Sequence, residues 1–134
     1  MPDLTDPIAA SLDAAEYAER PAERYLLAHA AALRIAAEAL SGRPRRRGAL
    51  HSLDGGRRNV WVVLAEVAPE LGEWSEYFAA LDLKRQTVAA GASALVSERE
   101  ADDLVRDARA FHRAVDLGWR RRPAVAVARP GVAS

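Results

Sequence analysis

The segment RDARAFH, residues 106–112, sets Arg106 beside Asp107 and closes on His112. These residue types can act on a phosphodiester without a metal ion. Histidine shuttles a proton near neutral pH. Arginine stabilises the extra charge on a pentacoordinate phosphate, and a neighbouring acid can orient either group. RNA brings its own nucleophile, the 2′-hydroxyl. The segment reads as part of an amphipathic helix, where six steps of about 100° set Arg106 and His112 about 120° apart. The two therefore do not share a face, and Arg109 is the nearer neighbour of His112. In the competing structural reading, Asp102 and Arg106 form an exposed i,i+4 ion pair and His112 edges the core.

Two other stretches keep a similar spacing, Arg24 to His29 and Arg45 or Arg46 to His51. Lys84 is the only lysine among the 19 basic residues, and alanine is abundant, the pattern of a GC-rich genome. Arginine is then so frequent that spacing alone discriminates poorly. His29 lies in the stripe Leu26, Leu33, Leu40, while Arg24 projects about 140° away, which favours a packed or interfacial histidine. The run Arg43, Arg45, Arg46 and Arg47 offers phosphate contacts, although no aromatic is interleaved with it to stack a base. Arg58 and Asn59 form another arginine–polar pair, but Val63, Leu64 and Ala65 stand where a histidine would follow.

Composition excludes several chemistries. The 19 basic and 19 acidic residues give zero formal net charge, so any attraction to nucleic acid must be local. With no cysteine there are no disulfides, zinc ribbons or thiol nucleophiles. His29, His51 and His112 are far apart and lack the spacing of a metal site, and no motif calls for a cofactor. The first residues are acidic where a secretory leader would be basic, and no apolar run nears the roughly 18 residues of a membrane span. A cytoplasmic protein without membrane contact is expected.

The elements that must hold these residues read as helices throughout. Asp6 followed by Pro7 starts the first, which runs to about Ala18. Pro21 opens the second, and Gly42 stops it. Residues 43–57 combine basic residues with Gly, Pro, Ser and Asp and read as a long loop. The stretch NVWVVLAEVA, residues 59–68, fits either a strand, through Val60, Trp61, Val62 and Val63, or a helix, through Val60, Leu64 and Val67. With no partner strand elsewhere, a helix is expected. A fourth helix runs from Pro69 to Gly91 with Leu71, Trp74, Phe78 and Leu81 on one side. Ser97 and Glu100 form a capping box that starts the last helix, whose buried stripe is Ala101, Leu104, Ala108, Phe111 and Val115. The expectation is an all-α, antiparallel bundle of four or five helices in one domain, residues 1–119, with a disordered tail at 120–134.

The combination PAERYLLAHAAALR, RRNVWVVLAEVAPELGEW and SEREADDLVRDARAF resembles the HEPN superfamily, in particular a small actinobacterial branch of it. The resemblance spans roughly residues 6–118. It implies a helical bundle that dimerises and, in many members, cleaves RNA without metal through an arginine, a polar residue and a histidine. On that pattern Arg106, Asp107 and His112 are the catalytic candidates. Arg24, His29, Arg45, Arg46, Arg47, Arg58, Asn59 and Arg109 are the nucleic-acid-binding candidates. Binding of RNA or a nucleotide is favoured over turnover, because the segment after Arg58 lacks the histidine. The alternative is a non-catalytic helical adaptor that dimerises and binds another protein.

Overall fold

The computed structural model describes residues 6–41 and 60–120, with side chains through residue 118. The expected loop with Arg45, Arg46, Arg47 and His51, the pair Arg58 and Asn59, and the expected tail beyond Arg120 lie outside the described residues. Among the described residues all regular structure is helical. The helices are α1 (Pro7–Tyr17), α2 (Pro21–Ser41), α3 (Val60–Val67), α4 (Gly72–Ala80), α5 (Asp82–Ala89) and α6 (Glu98–Arg120). Short 3₁₀ turns at Pro69–Leu71 and Ser93–Leu95 link them.

Local chemistry sets the helix ends. The Asp6 carboxylate accepts from the amides of Ile8 and Ala9 at 2.9 and 3.2 Å, and Pro7 occupies the first helical position, where no donor is needed. The Ser97 hydroxyl accepts from the Glu100 amide at 3.0 Å, and the Glu100 carboxylate accepts from the Ser97 amide at 3.1 Å, closing the expected box at the start of α6. Gly91, at φ 119°, takes the left-handed conformation just past α5.

One expected helix divides. The stretch from Pro69 opens as a 3₁₀ turn and breaks at Leu81, between α4 and α5. The Leu81 amide reaches back only three residues, to the Phe78 carbonyl at 3.1 Å, and a new helical ladder starts from the Leu81 carbonyl. Asp82 favours that restart from the first turn of α5, where it accepts from Arg85 at 2.8 Å and Gln86 at 2.7 Å.

Trp61, Phe78 and Phe111 form the centre of the core, with ring centroids 5.0–5.9 Å apart, and Trp74 stacks beside Phe78. The expected stripe of α6 is buried at every position. On α2 the buried face differs from the leucine stripe. Leu40 is buried, but Leu26 and Leu33 are only partly so, and Tyr25, Ala28, Ala32, Ile35, Ala36 and Ala39 face inward. This helix packs along both α1 and α6, and small alanines let the axes approach where leucines would hold them apart.

The register follows from side-chain pairs. A three-residue connection folds α1 back on α2. The start of α2 lies beside the start of α6, through Arg24 with Glu98 and Asp102. Tyr77 meets Asp107 and Lys84 meets Glu100, so α4 and α5 run opposite to α6.

Candidate nucleic-acid interface

Three arginines from two helices converge on one groove between α1 and α6. Arg24, Arg106 and Arg109 line it together with Glu16, Asp102 and Val105, enclosing about 300 Å³. The lining itself carries three guanidinium groups and two carboxylates, and Glu98, Asp13 and Asp103 pair with the same guanidiniums from outside it.

Arg24 projects from the first turns of α2 and is the most constrained of the three. Its Nε and Nη2 both donate to the Ala18 carbonyl, at 3.1 and 3.0 Å, and Nη2 also reaches the Glu19 carbonyl at 3.2 Å. The Ala18 carbonyl is the terminal acceptor at the C-cap of α1, and Glu19 follows it in the connection to α2. Its Nη1 donates to Glu98 at 2.9 Å and Asp102 at 3.0 Å. The hydrogen bond to Glu98 is the main cause raising the pKa of Arg24 above its usual value.

Arg109 reaches across to α1, donating to Asp13 at 3.0 Å and, through Nε, to Glu16 at 3.1 Å. Burial disfavours its charge, and these two carboxylates more than offset that. Arg106 stands on the outward crest of α6, with 68 % of its side chain exposed. It pairs with Asp103 at 3.0 Å and more loosely with Asp107 at 3.7 Å. The expected Asp102–Arg106 pair does not form, because Asp102 is taken up by Arg24.

The remaining candidates are placed elsewhere. Asp107 leans to the opposite flank of α6, where it accepts a hydrogen bond from the Tyr77 hydroxyl. Burial first, and then this carboxylate, push the Tyr77 pKa up. His112 is half-buried, on the flank of Val105 and Arg109 and about 120° around α6 from Arg106. His29 is fully buried against Trp61 and Phe78; among the described residues neither ring nitrogen makes a hydrogen bond of normal geometry, and the Phe78 carbonyl is its polar neighbour. Burial is the main cause lowering its pKa, so the ring sits neutral in the core.

Asp13, Glu16 and Tyr77 carry no site signal in the sequence. Each meets its α6 partner across 30 or more residues. Among the described residues no group of three or more His, Cys, Asp or Glu could hold a metal ion, and no helix is long and apolar enough to cross a membrane.

A family model described as SAV_6107-like HEPN matches residues 15–116. The chain belongs to the HEPN superfamily. The match takes in Arg24, Arg106, Asp107, Arg109 and His112, so all the described candidates on α6 lie within the HEPN region. No curated protein and no solved structure matches the chain.

Proposed function

We propose that this HEPN domain binds RNA or a nucleotide through phosphates seated in the groove between α1 and α6, and that it binds rather than cleaves. The convergence of Arg24, Arg106 and Arg109 carries this reading. Carboxylates hold each guanidinium in place, so little side-chain entropy is left to lose on binding. Asp13 and Asp102 are 60 % and 67 % exposed and can turn to water as a phosphate takes over their hydrogen bonds. Arg106, the most exposed cation of the three, makes the first contact. Arg45, Arg46, Arg47 and Arg58, with Asn59, supply further contacts along the strand.

Turnover would need His112 and Arg106 at the same phosphate, and their positions around α6 keep them apart within one chain. Asp107, the acid that would orient them, is engaged by Tyr77. A catalytic pair would require His112 of one copy to meet Arg106 of another in a homodimer. Purified protein incubated with a mixed RNA pool in EDTA, beside a His112→Ala variant, tests this. The reading expects equal background cleavage with both and salt-sensitive RNA binding by both. Cleavage abolished in the variant would establish a nuclease.

A further inference from the structure

A larger cavity opens on the other flank of α6 from the arginine groove. It encloses about 620 Å³ between α4 and α6, and Arg106 lines both it and the groove. A phosphate held on Arg106 therefore has this cavity one side chain away.

The two cavities differ in chemistry. No aromatic side chain lines the groove, whereas Trp74, Tyr77 and Ala80 give the α4 wall of the cavity an apolar floor. Trp74 is 7 % exposed and offers only an edge, while Tyr77 is half-buried and Ala80 is exposed. The Tyr77 hydroxyl donates to Asp107, which holds the ring against α6. A flat ring can lose its water against such a wall without ordering the wall first.

Charge selects what enters. Glu73, Glu76 and Asp107 share the lining with the Arg106 guanidinium. A second phosphate is disfavoured among these carboxylates, and a neutral group that donates hydrogen bonds is favoured. Asp107 is already taken up by Tyr77 and, more loosely, by Arg106. Glu76 is exposed and has no ion-pair or hydrogen-bond partner among the described residues, so its two oxygens are open to a ligand. Two donors side by side match a carboxylate, as the guanidinium of arginine does. Guanine alone among the four RNA bases presents such a pair, its N1–H and 2-amino group. Adenine and cytosine set an acceptor beside the amino group, and uracil sets its N–H between two carbonyls.

We infer that the α4–α6 cavity is a guanine subsite, with the base against Tyr77 and Ala80, its Watson–Crick edge on Glu76 and its phosphate on Arg106. The inference rests on phosphates being seated in the α1–α6 groove.

The test uses the full chain and uridine pentamers whose central base is left as uracil or replaced by guanine, hypoxanthine, adenine or cytosine, with affinity read by fluorescence anisotropy across a salt series. The guanine pentamer should bind at least about fivefold tighter than the uracil one, and the adenine and cytosine pentamers within about twofold of it. Hypoxanthine keeps N1–H but lacks the 2-amino group, so it should lose most of the advantage. Glu76→Gln, at an exposed position, should make the guanine and hypoxanthine pentamers equal while leaving the salt slope unchanged, because no phosphate contact is removed. Salt-sensitive binding that is equal for all bases, a preference for another base, or a guanine preference that survives Glu76→Gln would overturn the subsite and leave the phosphate groove standing. Absence of salt-sensitive binding by every pentamer would overturn both.

Discussion

Arg24 is placed to hold three helices together, and its removal should show this in stability before any effect on binding. Replacing it with alanine deletes hydrogen bonds to the carbonyls of Ala18, which caps α1, and Glu19, in the connection that follows, and to Glu98 and Asp102 at the start of α6. A hydrogen bond from a charged donor is worth about 1.5–3 kcal/mol where it is shielded. The side chain of Arg24 is 11 % exposed, but Glu98 and Asp102 are 71 % and 67 % exposed, so each ion pair adds only about 0–1 kcal/mol. The bonds to the Ala18 carbonyl share one acceptor and do not add in full. The expected loss is about 2–3 kcal/mol, a fall of roughly 10 °C in the thermal midpoint for a chain of this size. Arg24→Lys keeps the charge without the planar fork and should lose roughly half as much. Urea unfolding at low salt and at 1 M salt measures both variants. Most of the loss should survive 1 M salt, because carbonyl bonds are screened far less than exposed ion pairs. A loss below about 0.5 kcal/mol, or one that disappears in salt, would reduce Arg24 to a surface ion pair and refute the reasoning.

Three further outcomes are expected. His29 has a folded pKa below the 6.5 of the free side chain, so the unfolded chain takes up the proton first, and stability is full above about pH 6.5 and falls as the pH drops through it. In His29→Leu that part of the acid slope should vanish with stability at pH 7.5 unchanged or higher, and equal slopes in both proteins by urea titration would contradict the burial argument. Ser97→Ala breaks the capping box and should cost about 1 kcal/mol in the same assay. His112→Ala should leave RNA affinity within about twofold and produce no loss of cleavage, whereas a proton-transfer role would cost roughly 10²–10⁴-fold in rate.

The helices were legible wherever a local signal marks them. The Asp6 cap, the Ser97–Glu100 box and the period of α6 are all encoded within a few residues of where they act. The division at Leu81 was not, because neither glycine nor proline marks it and the restart rests on the contacts of Asp82. The inward face of α2 was misread for a related reason: leucine predicts burial, but close packing against two helices selects alanine. At the groove, sequence spacing singled out Arg24, Arg106 and Arg109 but paired them with histidines. The fold instead pairs Arg24 with Glu98 and Asp102, and Arg109 with Asp13 and Glu16. Arg109 and its partners lie 93 and 96 residues apart, beyond any local pattern.

The central claim, that the groove between α1 and α6 takes phosphate, is tested most directly by the salt dependence of binding to a short single-stranded RNA. Affinity measured by fluorescence anisotropy across a salt series gives the slope of log K against log salt, about 0.7 in magnitude for each phosphate contact on a single strand. Arg106 and Arg109 line the groove without the backbone bonds that make Arg24 structural, so the Arg106→Ala/Arg109→Ala double variant should keep its fold. The account predicts weaker binding for this variant and a slope shallower by about 1.4, two contacts' worth. An unchanged slope and affinity, or no salt-sensitive binding by the unaltered protein, would contradict it.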